Sequence, residues 1–199
     1  MRYLVRGGFL AAFLFITSAF SLENVVFNEN NILNEQVTNK INAIGKELYD
    51  KTNIFVALAV GDTSDIKSLE TKANELPAPF VLLMLSKSEH KVDIIASKES
   101  LSFFDKEAVL SPYSGTGSIL PILTSNKGKD IYNAALLNGY ADISDQIASY
   151  FHLKLENSIG NANKDTLNIL RIGIYGFICF ALLFYFQRKI TRKRRKYNA

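Results

Sequence analysis

Residues 167–186 form a run of twenty with little polarity apart from Asn168 and Arg171, and no other feature restricts the chain as much. A helix of that length reaches about 30 Å at about 1.5 Å per residue, the thickness of bilayer hydrocarbon. One transmembrane helix is therefore expected over residues 167–187. Arg171 falls in its first turns, where a long side chain can bend back to lipid phosphate, so it marks the outer interface. Beyond Gln187 stand Arg188, Lys189, Arg192, Lys193, Arg194, Arg195 and Lys196, a cluster of the kind retained in the cytoplasm. Arg171, Arg188, Lys189, Arg192 and Lys193 are the residues expected to meet lipid. Gly173 and Gly176 are three positions apart, so they miss the GxxxG spacing of paired helices.

The other end reads as an address. Arg2 and Arg6 precede the apolar stretch 9–16, and Ala19-Phe20-Ser21 supplies small residues around a cleavage point, the pattern of a secretory leader over residues 1–21. The leader is either cleaved after Ser21 or retained as an anchor. Both readings put residues 22–155 outside the cytoplasm, in the periplasm of an inner-membrane protein. Residues 156–166 serve as a polar tether and 188–199 as a basic cytoplasmic tail.

The formal charge of +4 hides an asymmetry that excludes nucleic acid as a partner. All 19 acids lie between Glu23 and Asp165, alongside 13 lysines and no arginine, so this stretch carries −6. Such a domain repels phosphate backbones and lacks the bidentate clamp that arginine provides. The single cysteine, Cys179, leaves no intrachain disulfide, redox pair or cysteine zinc site, and two histidines are too few for an ordinary zinc centre.

Residues 22–165, 144 in all, suffice for one stable core. Leu33, Val37, Ile41, Ile44 and Leu48 recur at helical spacing behind Asn30 and Asn31, either of which is a candidate cap. Residues 54–60 are a continuous apolar run, the mark of a strand buried on both faces. A helix over 66–76, stopped by Pro77 and Pro79, leads to a second apolar strand over 80–85, and this order makes a right-handed parallel crossover. Residues 91–96 return as an antiparallel hairpin strand. Helix is expected over 98–110, a loop over 111–118 and an irregular packed segment over 119–123. Ile131, Ala135, Leu136, Ile143, Ile147, Tyr150 and Phe151 predict a long amphipathic helix. The fold class is α/β, a layered, three-layer-like α/β/α domain with a βαβ crossover and a β-hairpin.

Two acids, Asp62 and Asp65, follow the first core strand, where open α/β sheets place their ligands, and two carboxylates there suit Ca²⁺ or Mg²⁺. The simpler reading is a turn at Asp62 and a helix cap at Asp65. Gly115-Thr116-Gly117 completes neither a Walker loop nor a dinucleotide loop. His90 and His152 lack an accompanying GxSxG serine, so a hydrolytic triad is not indicated, and both read as surface groups.

Val26-Phe27-Asn28, then Ile32-Leu33 before a helix, a strand from Ile54 to Val60, Ala78-Pro79-Phe80-Val81-Leu82-Leu83-Met84-Leu85 and Lys91-Val92-Asp93-Ile94-Ile95 resemble the TPM domain family. The stretch from Asp130 to Gly139 is similar to that family's last helix. The family comprises extracytoplasmic α/β domains related to a thylakoid lumen protein of photosystem repair, often followed by a membrane helix. The resemblance implies weak acid-phosphatase activity and divalent-metal binding in some members, with Glu99 in the place of the family's acid after the hairpin. The family's tryptophan is missing, and Ala96-Ser97-Lys98-Glu99 replaces its glycine-rich pattern. The resulting expectation is a membrane-anchored, non-catalytic binding or assembly factor for an integral membrane partner, with Phe103 and Tyr113 as contact residues. The alternative is a metal-dependent phosphatase with Asp62, Asp65 and Glu99 as ligands.

Overall fold

The structure is a computed structural model that describes residues 24–125, 130–160 and 162–197. The leader at 1–21 lies outside the described residues. Four strands make one mixed sheet in the order β1-β2-β3-β4: β1 (Val26–Asn28), β2 (Phe55–Gly61), β3 (Phe80–Ser86) and β4 (Lys91–Ala96). The first three run parallel, with Leu58 beside both Val26 and Leu83, and β4 returns antiparallel with Ile94 beside Leu83. Every residue of β2 is buried, and so are Val81 to Ser86 of β3. Successive strand residues point to opposite faces, so both faces of the sheet centre are covered. The parallel pair, the hairpin and the buried centre agree with the α/β expectation. The short edge strand β1 is added to it.

Helix α1 (Glu35–Thr52) starts later than Asn30 or Asn31 allow. Those two residues take left-handed φ values of 52° and 50°, in or next to a 3₁₀ turn. Asn34 is the cap instead, its Oδ1 accepting the Val37 N–H at 2.9 Å. The helix ends at Asn53, which at φ 56° takes the left-handed position usual just after a helix.

The stretch expected as one helix over 66–76 divides into α2 (Ile66–Glu70) and a 3₁₀ segment, Thr71–Glu75. Residues 98–110 form a 3₁₀ turn, Ser100–Ser102, and a single turn α3 (Lys106–Val109), capped by Asp105. Residues 119–123, expected to be irregular, contain one helical turn, α4 (Leu120–Leu123), with Pro121 in its first turn, where its missing N–H costs nothing.

The long helix α5 (Ile131–Tyr150) runs alongside α1. Asn34 donates its N–H to Asn133 Oδ1 at 2.9 Å, which ties the two helix starts together. Tyr140, absent from the expected apolar pattern, is fully buried and donates its hydroxyl to the Val56 carbonyl at 2.8 Å. Burial pushes its phenol pKa up. Gly45 faces that hydroxyl, and a Cβ there would collide with it and lie 3.0 Å from Val25. A helix position without a side chain is thus what lets α1, α5 and β2 meet. The pattern also misplaces two aromatics, since Tyr150 and Phe151 are exposed rather than core.

The expected tether is docked in its first part. Leu155, the residue before it, is buried, and Glu47 accepts the N–H groups of Glu156 and Asn157 at 2.7 and 2.8 Å. Ser158 donates to Asp145 at 2.7 Å. Helix α6 (Ala162–Tyr197) follows as one element of 36 residues. Its described side chains are Leu170 and residues 172–189, every one of them exposed. Among the described residues no helix is long and apolar enough to cross a membrane. Residues 167–169 and Arg171, expected in the span, have only backbone described, as do Arg192 and Lys193, while Arg188 and Lys189 are exposed.

Candidate functional site

The carboxyl ends of β1, β2 and β3 lie side by side, and the loops that leave them bring Glu29, Asn30, Asp62, Thr63 and Lys87 together. Gly61 closes β2 because the chain folds back at once: a Cβ there would sit 2.9 Å from the Ser64 side chain and 3.0 Å from its carbonyl. This fold turns the N–H groups of Asp62, Thr63 and Ser64 inward, a concave arrangement suited to an anion. Its occupant is the chain's own Glu29, from the turn after β1. Glu29 Oε2 accepts those three N–H groups at 2.8, 3.3 and 3.3 Å, and Oε1 accepts the Thr63 hydroxyl at 2.9 Å. The Thr63 hydroxyl, then Ser64 and the backbone donors, hold this carboxyl below its usual range against the opposing effect of desolvation.

The sequence-predicted acids are engaged in the same way. Asp62 pairs with Lys87 from the β3–β4 turn at 2.7 Å and accepts from the Asn30 amide at 3.1 Å. Lys87, and then Asn30, lower its pKa, while the pair raises that of Lys87. Asp65 accepts the Ser68 N–H at 2.9 Å and caps α2, and Ser68 lowers its pKa. The turn-and-cap reading of the loop is the one the geometry has.

Glu99 is not part of this cluster. Because β4 runs antiparallel to β3, residue 97 pairs beside Phe80, so Glu99 lies past the opposite end of the sheet. Seven residues of strand separate the two ends, about 23 Å at 3.3 Å per residue. Among the described residues no group of three His, Cys, Asp or Glu side chains is placed to hold a metal. The chain therefore does not fit the Ca²⁺ or Mg²⁺ set Asp62, Asp65 and Glu99.

Glu29, Asn30 and Lys87 were not legible as site residues, since Glu29 meets Asp62 across 33 positions only through the parallel pairing of β1 with β2. An Asn-rich turn opposite an Asp-rich loop was the available hint. The Gly115-Thr116-Gly117 segment is packed: Gly117 donates to the Tyr113 carbonyl at 2.8 Å, and a Cβ on it would collide with the Ser111 carbonyl. Ser118 next to it donates to the buried carboxylate of Asp142. His90 and His152 are exposed, each at a left-handed turn position.

The opposite end of the domain is aromatic. Phe103, expected as an exposed contact, is half-buried as the inner member of a trio, its ring centroid 4.8 Å from Tyr150 and 5.1 Å from Phe151. Tyr150 is 55% exposed and Phe151 38%. Tyr113, the other expected contact, is 75% exposed and belongs to the 111–118 loop. A shallow cleft of about 420 Å³ beside α1, lined by Lys46, Glu47 and Asp50 among others, is bounded by the docked residues 156 and 157.

No family model matches the chain, and no curated protein does. Solved structures do. The chain is similar to the N-terminal domain of a protein from P. gingivalis, determined by solution NMR as a structural-genomics target, at 14% identity and a TM-score of 0.52. That likeness covers 67% of this chain and 87% of the other. It defines a class by fold alone: a mixed α/β domain.

Proposed function

We propose that the chain is a single-pass inner-membrane protein whose TPM-like, layered α/β domain faces the periplasm and acts by binding rather than catalysis. The intended partner is an integral membrane protein in an envelope complex that is being assembled or maintained. The observation that carries the reading is the surface of α6. Leu170, Ile172, Ile174, Tyr175, Phe177 and Ile178, and the apolar residues that follow as far as Phe186, are all exposed on one helix. A helix apolar all round is stable only inside a core or a bilayer, and these side chains have no core around them. In the full sequence residues 167–186 are a run of twenty with little polarity apart from Asn168 and Arg171, which as a helix would rise about 30 Å, the thickness of bilayer hydrocarbon. The order of elements around β1 to β4 supports the TPM-like reading. A tethered domain meets membrane neighbours at high effective concentration, so weak contacts suffice.

Non-catalysis is supported by the occupied state of the loop after β2: Glu29 fills the backbone donors and Lys87 neutralises Asp62. The test uses the full chain extracted in mild detergent. An integral membrane protein should co-purify with it, and should be lost when residues 24–160 are deleted and α6 is kept. The same preparation should release no phosphate from aryl phosphates with Ca²⁺ or Mg²⁺ added. Metal-dependent turnover that Asp62→Asn abolishes would overturn the reading.

A further inference from the structure

We propose that one stripe of α6, positions 168, 171, 175 and 179, is the seam along which a transmembrane helix of the partner packs, and that this helix brings a carboxylate to the level of Arg171 and Tyr175. The inference rests on the reading of α6 as a membrane span and adds to it the face and the chemistry of the contact.

Residues 167–186 contain five side chains able to hydrogen-bond: Asn168, Arg171, Tyr175, Cys179 and Tyr185. Helix α6 is one element from Ala162 to Tyr197, so a single helical register relates them. The first four are spaced three, four and four, and at about 100° per residue they fall within about 80° of one another. Outside that arc the run carries only hydrocarbon side chains and glycine until Tyr185. Tyr185 stands two positions before Gln187, with Lys189 6.0 Å from its ring centre, the usual interfacial place of a tyrosine in a span.

Tyr175 has no such place. It lies eight residues into the run, about 12 Å below the outer edge of about 30 Å of hydrocarbon. The side chain is 66% exposed, so nothing in the chain covers it. Three and four positions away on its own helix are Arg171, Ile172, Ile178 and Cys179, which are a cation, two hydrocarbons and a thiol that accepts only weakly. A hydroxyl left without a partner in hydrocarbon is costly, so its acceptor has to come from another helix.

Charge identifies that helix. Arg171 is one turn further out on the same stripe, and its guanidinium is permanently positive. A lipid phosphate satisfies a guanidinium near the outer boundary but not a phenol one turn deeper. A second copy packed in parallel along this seam sets Arg171 against Arg171 at low dielectric, which is unfavourable. A different membrane protein with an Asp or Glu in its span satisfies both groups, because one carboxylate accepts from the guanidinium and from the phenol together.

The test uses full chains in native membranes, with photoreactive benzoylphenylalanine in place of Gly173, Tyr175, Phe177 or Cys179. Positions 173 and 177 bracket 175 in depth and face the other way, and a Cβ at Gly173 meets nothing. Irradiation should join 175 and 179, but not 173 and 177, to one other membrane protein. With the photoreactive group at 179, Arg171→Gln and Tyr175→Phe should each lower the yield about fivefold, the scale of one interhelical hydrogen bond, while Arg171→Lys keeps it within about twofold. Equal yields from all four positions, adducts with lipid alone, or an adduct of two copies of this chain would each overturn the seam. Unchanged yield in Arg171→Gln would overturn the carboxylate. Co-purification in detergent without any adduct assigns the partner to the domain alone and also overturns the proposal. The single thiol, Cys179, tells these results from failure of the span. If it reacts with a membrane-impermeant maleimide in sealed vesicles, α6 does not cross and both readings fall; if it reacts only after the membrane is dissolved, the span stands and the adducts decide.

Discussion

The two ends of the sheet solve the same problem in opposite ways. At the carboxyl ends of β1 to β3 the four carboxylates have partners from the chain: Glu29 on three backbone donors, Asp62 on Lys87, Asp65 on Ser68 and Glu89 on the Ile66 N–H. At the far end the rings of Tyr150 and Phe151 stand exposed beside polar residues such as Lys98, Glu99 and His152. A saturated polar end has little left to offer a ligand, whereas an apolar rim gains free energy whenever something covers it, at about 25 cal/mol per Å².

The largest effect should come from the core that both ends share. Leu83 is fully buried in β3, and Leu83→Ala should cost about 2–5 kcal/mol. Denaturant unfolding should still be one transition, with amide exchange at residues 62–64 and at 151–153 changing together; two separate transitions would mean that the ends are independent units.

Glu29→Gln addresses the polar end alone. The carboxamide loses the charge that the inward N–H groups of residues 62–64 select, so hydrogen exchange at Asp62, Thr63 and Ser64 should speed up while amides 151–158 keep their rates. Equal acceleration at both places would break the comparison.

Acid should do the reverse through Glu47. Burial opposes ionisation there, yet Lys51 and the N–H groups of Glu156 and Asn157 hold its pKa down from 4.5 to about 2. A carboxyl lowered in the folded state contributes stability that is fully present above about 4.5 and is lost as pH falls towards about 2. Amide exchange at residues 156 and 157 should therefore rise across that window relative to the core amides of β3, and Glu47→Gln should remove the dependence.

The smallest effect is expected at Tyr113, which is 75% exposed. Tyr113→Ser should change stability by no more than about 0.5 kcal/mol. A loss of several times that amount in a thermal melt would show that the 111–118 loop depends on the ring.

The central strands were legible because a strand buried on both faces must be apolar at every position, and residues 54–60 and 80–85 are. Helix α5 was legible in its first four turns, from Ile131 to Ile147. It failed at Tyr150 and Phe151, because helical spacing does not tell a ring that packs inward from one left on a rim. The cap of α1 was misplaced among three nearby asparagines, since the choice depends on Asn30 reaching Asp62 and on Asn34 meeting Asn133. Asp65 was legible as a cap, a local matter of three residues. Glu99 was misread as a neighbour of Asp62 because its position depends on the direction of β4.

The sequence by itself determined the burial of β2 and β3, the parallel crossover between them, the hairpin and the division between an acidic domain and a basic end. These follow from local periodicity and from the charge of each segment. Only the tertiary structure decided that Glu29 occupies the donors of the loop after β2, that Tyr140 reaches Val56, and that residues 155–158 dock on α1 and α5 before α6 begins. Each of those contacts joins residues between 13 and 110 positions apart. They form because the register of the sheet and the parallel run of α1 and α5 bring those groups within hydrogen-bonding distance, and nothing in the spacing of the residues records either.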